Sequence, residues 1–101
     1  MIIYNTTYTV DINEARSFAI WITQHLIPET EKTGLMRNPQ FCQILSHKEQ
    51  DTECFSLQWE ADDASALHKY YTTKGASFDK ELRDIFKDKA VAFPTLMEKL
   101  L

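Results

Sequence analysis

The spacing of apolar residues along this chain switches repeatedly between a strand-like and a helix-like period. Side chains that alternate or cluster as in strands occupy four short segments, and side chains that recur every three or four residues occupy two longer ones. A period of two is typical of strands, and a period of 3.6 is typical of helices. In chain order the segments are 2–10 (strand), 11–33 (helix), 41–46 (strand), 54–60 (strand), 62–86 (helix) and 90–93 (strand).

The strand predictions rest on composition and alternation. Residues 2–10 are rich in β-branched and aromatic types, which favour extended backbone. In the third strand, Phe55, Leu57 and Trp59 alternate with polar residues, so one face of this strand is expected to be buried. The polar stretch 47–52 before it is short enough to make strands two and three an antiparallel hairpin.

The first helix has predicted start and stop signals. Asp11 and Glu14 match a capping box. Pro28 is expected to end or kink the helix because its ring clashes with the preceding turn, and Gly34 is a plausible stop. The apolar stripe of this helix is Ala15, Phe18, Ile22 and Leu26.

The second helix is predicted to begin after Asp62 and Asp63 and to be interrupted at 74–77. The final strand is predicted to close at Pro94, and the tail 95–101 carries its own capping pattern and an apolar side. The apolar stripes of the second helix are Ala64, Leu67 and Tyr71, followed by Phe78, Leu82, Ile85 and Phe86, with Tyr70 beside the first.

This order predicts a single α+β domain over residues 1–101 with the ferredoxin-like βαββαβ arrangement. Two helices would cover one face of a four-stranded antiparallel sheet, and the other face would be solvated, bind a ligand or pair with a second copy. The first strand offers either an even-numbered or an odd-numbered set to the open face. We favour Tyr4, Thr6 and Tyr8 there, as the interface of a homodimer, because large aromatic side chains on an uncovered face indicate an interaction surface. The odd-numbered alternative is Asn5, Thr7 and Thr9.

Charge and composition argue against several function classes. The formal net charge is −4, with eleven Lys and Arg scattered among fifteen acidic residues, so no basic stripe for nucleic acid or membrane lipid is expected. The start of the chain does not resemble a signal peptide. Two cysteines are consistent with free thiols in the cytoplasm.

Three stretches carry a resemblance to a known family: MIIYNTTYTV, HLIPETEKTGL and KAVAFPTLME. They resemble one uncharacterised family of small bacterial proteins within the dimeric α+β barrel superfamily, and the resemblance runs nearly end to end. It implies a dimer whose sheets face each other, but it implies no activity, since this superfamily includes monooxygenases, haem-degrading enzymes and ligand-binding regulatory modules.

The haem-degrading branch is the sharpest comparison. Its Asn on the first strand matches Asn5, but its helical Trp and its iron-ligating His match Tyr70 and the region 80–82, which contains no His. His68 lies elsewhere on the helix. We therefore expect no haem and no other cofactor. No metal-binding spacing is present either, so no metal is expected.

The remaining chemistry is confined to isolated residues. Aromatic side chains and one amide are predicted to line a ligand pocket, although Trp59 is also explained by core packing. His25 edges the first helical stripe, His68 the second, and His47 lies in the hairpin turn; each is also explained as an ordinary surface or core-margin histidine. Cys42 and Cys54 are expected on one face of the hairpin, as inert thiols or a redox pair. The predicted ligand-binding residues are Asn5, His25, Trp59, His68 and Tyr70.

Two functions remain open. The first is a non-catalytic homodimer that binds a small molecule or a partner protein, and the second is a cofactor-independent monooxygenase-like enzyme. The second requires a cavity between helices and sheet with a polar group inside. The catalytic residues, if there are any, cannot be assigned from the sequence.

Overall fold

A computed structural model of the chain describes residues 1–46 and 49–101. The four strands form one antiparallel sheet in the order β2-β3-β1-β4. This is the ferredoxin-like topology predicted from the order of the elements, and the helices lie on one face of the sheet. The strands are β1 (Ile2–Asp11), β2 (Arg37–Ile44), β3 (Thr52–Ala61) and β4 (Ala90–Glu98).

The first helical segment, residues 12–33, is one continuous run with a wider turn in its middle. Pro28 lies in the first turn of α2, directly after the π-helical segment. The helix therefore continues past Pro28 and ends at Gly34, whose φ of 71° a residue without Cβ adopts readily. The segments are a 3-10 turn (Ile12–Glu14), α1 (Ala15–Trp21), the π-helical segment (Ile22–Leu26) and α2 (Ile27–Thr33).

The second helical segment, on the same face of the sheet, consists of α3 (Ala64–Thr72) and α4 (Lys74–Phe86), followed by a 3-10 turn at Lys87–Lys89. The Asp63 carboxylate caps α3 by accepting a hydrogen bond from the Ala66 N–H at 2.9 Å. The break falls at Thr73, so the predicted interruption at 74–77 is instead the first turn of α4.

Of the two edge strands, β2 begins earlier than predicted and β4 ends later, and each contains a proline. Pro39 lies in β2, beside a register shift between Arg37 and Gln40, and Pro94 lies in β4 opposite Thr6. A proline is tolerated on an edge strand because the missing N–H can point away from the sheet. The prediction that the last strand closes at Pro94 is therefore wrong, and pairing with β1 continues to Glu98.

The core lies between the sheet and the helices. Phe18, Ile22 and Leu26 are buried as the helical period predicts, and Phe55, Leu57 and Trp59 meet them from β3. The predicted stripe of the second helix is confirmed at its centre, although Tyr71 and Ile85 are exposed. The buried aromatic and aliphatic residues form one cluster.

The placement of Tyr4, Thr6 and Tyr8 on the open face is wrong. Tyr8 is only 6% exposed and packs on Phe18 with ring centroids 4.8 Å apart, so this side of β1 faces the helices. Residues directly opposite each other in an antiparallel pair share a face. Because Tyr8 pairs with Phe55, the large alternating side chains of both strands face the helices together. The open face therefore carries the odd-numbered set, Asn5, Thr7 and Thr9.

Candidate functional site

A cavity of about 150 Å³ lies between the sheet and the second helical segment, α3 and α4. β1 and β4 form its floor, and the end of α3 and the middle of α4 form its wall. Alternation along β1 turns every second side chain towards the helices, which directs Tyr4 and Thr6 into this space. Its lining residues are Tyr4, Thr6, Tyr71, Asp79, Leu82, Arg83, Ala92 and Pro94.

Aromatic rings form one side of the cavity. Tyr4 packs edge-to-face on Tyr71, with centroids 5.7 Å apart, and on Tyr70, with centroids 6.5 Å apart. Burial raises the pKa of the Tyr4 hydroxyl above its ordinary range, and this hydroxyl lies close to those of Thr6 and Tyr71. A neutral phenol of this kind donates or accepts a hydrogen bond but does not ionise near neutral pH.

Two charged residues from α4 complete the wall. Asp79 and Arg83 are four residues apart, so they lie one above the other on the same helix face. Asp79 is exposed as a residue, but partial burial of its carboxyl raises its pKa, and Arg83 acts in the opposite direction. The cavity thus combines phenols, an aliphatic hydroxyl, a carboxylate and a guanidinium.

A smaller space of about 30 Å³ lies deeper in the same layer and shares Tyr4, Thr6 and Asp79 with the main cavity. Tyr8 and Tyr70 line it from opposite sides, and burial raises the pKa of both hydroxyls. The Tyr70 hydroxyl lies 3.1 Å from Thr30 Oγ1, in a buried hydrogen bond. All four tyrosines of the chain therefore border one or both of these neighbouring spaces.

The structure brings together part of the predicted ligand-binding set. Trp59 and Tyr70 both line the smaller space, beside the tyrosines of β1. Asn5 is an odd-numbered residue of β1, so strand alternation places it on the opposite face of the sheet. There its Oδ1 accepts a hydrogen bond of 2.6 Å from Ser56. The expected grouping of Asn5 with the aromatic residues is therefore wrong.

The predicted histidines lie away from the cavity. His25 belongs to the π-helical segment, where its Nε2 lies 3.1 Å from Glu81 Oε1 and its ring packs edge-to-face on Phe78. His68 is exposed on α3. His47, predicted in the hairpin turn, lies outside the described residues.

Motif and spacing patterns in the sequence did not indicate Asp79, Arg83 or Tyr71 as site residues. Asp79 directly follows the buried Phe78, and Arg83 directly follows the buried Leu82. A polar pair that tracks the edge of an apolar stripe at the same four-residue spacing could have indicated these two residues. Nothing in the sequence indicates that β4 lies opposite them.

The two cysteines are free and share the open face of the sheet, as predicted. Cys42 lies opposite Ser56, and Cys54 lies opposite Ile44, so the thiols are diagonal neighbours rather than directly opposed. Diagonal positions on a sheet are about 7–8 Å apart, which exceeds the usual reach of a disulfide.

Two features are absent from the described residues 1–46 and 49–101. None of their helices combines the length and the apolar character needed to cross a membrane. They also contain no group of three or more His, Cys, Asp or Glu side chains arranged to hold a metal ion.

Solved structures share this fold at low sequence identity. A Deinococcus radiodurans protein, assigned provisionally as an antibiotic biosynthesis monooxygenase, is 16% identical with a TM-score of 0.77; the match covers 100% of this chain and 94% of that one. An ethyl tert-butyl ether D (EthD) family protein from Bacillus halodurans is 14% identical with a TM-score of 0.69, covering 99% and 100% of the two chains. Another structure, described as an antibiotic biosynthesis monooxygenase, is 15% identical with a TM-score of 0.63, covering 98% and 99%. At these identities the likeness shows the fold.

Sequence comparison leads to a family rather than to an activity. No curated protein matches the chain. The matching family model spans residues 1–100, nearly the whole chain, as the resemblance seen in the sequence implies. The chain therefore belongs to the DUF4286 family, a domain of unknown function.

Proposed function

We propose that this chain is a small-molecule-binding domain whose ligand occupies the cavity between the sheet and α3 and α4. The observation that carries this proposal is the lining of the cavity. Phenols, a carboxylate and a guanidinium converge on about 150 Å³ within a layer that is otherwise a packed apolar core. Ligand sites typically combine apolar walls with a few polar groups that orient the ligand.

The size of the cavity limits the ligand. An engineered cavity of about 150 Å³ in another protein holds one benzene molecule, so the ligand here is of single-ring or short-chain size. The groups at the rim, Tyr71, Asp79 and Arg83, are exposed. A ligand can therefore enter without opening of the sheet.

Ala92 gives a direct test, because it lines the cavity from β4. We expect Ala92→Leu to fill the space and to weaken by at least tenfold the binding of hits from a library of single-ring and short-chain compounds. Binding is measured by chemical-shift changes in the labelled protein. Val91→Leu is the matched control, because the neighbouring residue of the same strand faces the opposite side of the sheet.

Both variants are first checked for a folded spectrum and a cooperative unfolding transition. Equal binding by Ala92→Leu and the wild type would place the ligand elsewhere and contradict the proposal. A library without any hit whose shift changes centre on Tyr4, Tyr71 and Ala92 would also contradict it. If Ala92→Leu does not fold, Thr6→Val provides a second variant, because it replaces a hydroxyl of the lining with a methyl group.

A monooxygenase-like enzyme is the second candidate. It is favoured by the carboxylate and phenols inside the cavity, together with the shared fold of proteins described as antibiotic biosynthesis monooxygenases. The small volume favours binding over turnover of a large substrate. The test is oxygen uptake in the presence of a library hit. Uptake that Asp79→Asn abolishes would support the enzyme and contradict a purely binding function.

We also propose that the chain forms a homodimer through the open face of the sheet. This face carries the exposed apolar side chains of β4, with Phe93 69% exposed and Val91 59% exposed. Exposed apolar patches on a soluble protein are typical of interaction surfaces. A second copy would cover the patch with C2 symmetry, the commonest arrangement of homo-oligomers.

A cytoplasmic location in a bacterium completes the proposal. It is supported by the two free thiols, of which Cys42 is exposed, because reducing compartments keep such thiols reduced. Two of the structurally similar proteins also come from bacteria. Fractionation of the native host with an antibody against the chain tests this, and recovery outside the cytoplasm would contradict it.

A further inference from the structure

The cavity wall carries one full charge of each sign on a single helix. Asp79 and Arg83 both line it, and their spacing on α4 places them about one turn apart. From this arrangement we infer that the ligand is a small zwitterion, a molecule of single-ring or short-chain size with a cationic and an anionic group close together. A small α-amino acid is the simplest member of this class. The inference deepens the proposed binding function and rests on it.

Asp79 and Arg83 attract each other, but their charged groups do not form an ion pair. The ion pairs that α4 makes in the described part of the chain join Lys80 to Asp84 at 2.8 Å and Glu81 to His25 at 3.1 Å. Those pairs lie on other sides of the helix and are separate from the cavity lining. The carboxylate of Asp79 and the guanidinium of Arg83 therefore remain able to bind a ligand.

A zwitterion is the occupant that satisfies both groups. A neutral apolar molecule would remove water from both charges and offer nothing in return, which is costly. A simple anion would be repelled by Asp79, and a simple cation would be repelled by Arg83. A molecule with both signs pairs with each side chain through charge-assisted hydrogen bonds.

The remaining lining residues fit the same ligand. The faces of Tyr4 and Tyr71 attract an ammonium group, and their hydroxyls, with that of Thr6, can donate hydrogen bonds to a carboxylate. Leu82, Ala92 and Pro94 leave an apolar surface for a short side chain. The three kinds of wall correspond to the three parts of a small amino acid.

Four probes that share the same branched four-carbon unit test the inference. L-valine carries both charges, isobutylamine only the positive one, isovalerate only the negative one, and isovaleramide neither. Each is titrated into the isotope-labelled chain while the resonances of Tyr4, Tyr71 and Ala92 are followed. We expect valine to bind at least tenfold more tightly than any of the other three.

Charge-removing variants separate the two contacts. Asp79→Asn should weaken valine to the level of isovalerate, and Arg83→Gln should weaken it to the level of isobutylamine. Lys80→Gln and Asp84→Asn are the matched controls, because they remove a charge of each sign from the same helix outside the cavity lining. We expect both controls to bind valine as the wild type does.

The outcomes distinguish this inference from the function on which it rests. If isovaleramide or a singly charged probe binds the cavity as tightly as valine, the ligand class is wrong and the binding function stands. If no probe shifts the cavity resonances, the ligand class is again overturned. The binding function then fails only if the wider library of single-ring and short-chain compounds also gives no cavity-centred hit.

Discussion

Single residues inside the layer between sheet and helices show how polar groups are accommodated in this core. Thr30 is fully buried, and its hydroxyl meets that of Tyr70, which is also buried. Buried polar groups are normally hydrogen-bonded because an unpaired one keeps its desolvation cost. Asp79 differs from them, because it stands at the rim of the cavity with its carboxyl only partly buried.

The first prediction concerns the hydrogen bond between Thr30 and Tyr70. Thr30→Val keeps the shape of the side chain but leaves the Tyr70 hydroxyl buried without this partner. We expect a loss of about 1–3 kcal/mol in the free energy of unfolding, measured by urea denaturation. Combining Thr30→Val with Tyr70→Phe should cost less than the sum of the two single changes, and full additivity would show that the hydroxyls do not interact.

The second prediction concerns the dependence of stability on pH at Asp79. Partial burial holds the pKa of this carboxyl above its unfolded value. Ionisation is therefore less favourable in the folded state, and the associated stability is present below the unfolded pKa and lost as pH rises through the folded pKa. Asp79→Asn should accordingly gain stability relative to the wild type between about pH 3 and about pH 7.

Asp84 provides a control of opposite sign on the same helix. A hydrogen bond from Lys80 lowers the pKa of the Asp84 carboxyl, so its contribution to stability is present above the unfolded pKa and lost as pH falls. Asp84→Asn should therefore lose stability relative to the wild type over the same rise in pH. Denaturant unfolding at a series of pH values measures both variants. If the stabilities of the two variants relative to the wild type changed with pH in the same direction, the opposite pKa shifts of Asp79 and Asp84 would be refuted.

At the scale of elements, helix ends determine where the chain turns back to the sheet. Gly34 ends α2 with a positive φ that glycine adopts without a Cβ penalty. At the end of α4 the same task falls to Lys87, whose φ is 56° and ψ is −127°. A side chain at such a position costs about 1–3 kcal/mol. The turn at Lys87 directs the chain towards Ala90, the first residue of β4.

The third prediction follows from this conformation. We expect Lys87→Gly to raise the free energy of unfolding by about 1 kcal/mol, because relief of the strain exceeds the added entropy of the unfolded chain. Lys89→Gly is the control, since Lys89 has no positive φ, and it should lower stability. Thermal or urea unfolding of both variants measures the difference. A loss of stability in Lys87→Gly would show that its side chain contributes more than its backbone costs.

At the scale of the whole molecule, the two faces of the sheet differ in what covers them. The helices cover the face that carries Tyr4, Thr6 and Tyr8, and the cavity lies within that layer. The other face is polar along β1 and apolar along β4, where Val91, Phe93 and Met97 stay exposed. The proposed ligand binding and the proposed self-association thus fall on opposite sides of one sheet, and variants can separate them.

The fourth prediction tests the proposed dimer. Phe93→Asp should weaken self-association by at least tenfold, because a charge would be placed in a desolvated interface. Ile85→Asp is the matched control, since Ile85 is also an exposed apolar residue but lies on α4. Sedimentation equilibrium over a range of protein concentrations measures both. A wild-type chain that remains monomeric, or equal weakening by both variants, would contradict a dimer through the open face.

The sequence by itself determined the order of the elements and most of the core, because period and composition are local properties of the chain. It placed the stripe of Phe18, Ile22 and Leu26 and the alternation around Trp59 correctly. It misjudged the end of β4, because Pro94 is interpreted as a strand breaker unless the strand is known to lie at an edge. Edge position is a property of the assembled sheet.

Only the tertiary structure decided which face of β1 the helices cover and where the cavity lies. Both faces of β1 mix polar and aromatic or aliphatic side chains, so the alternation alone does not settle its orientation; pairing of Tyr8 with Phe55 does. In the same way, the sequence alone does not distinguish Asp79 and Arg83 from ordinary surface charges on a helix. They border a cavity because α4 packs across β4, which follows it after a short turn, and across β1, which is far from it in sequence.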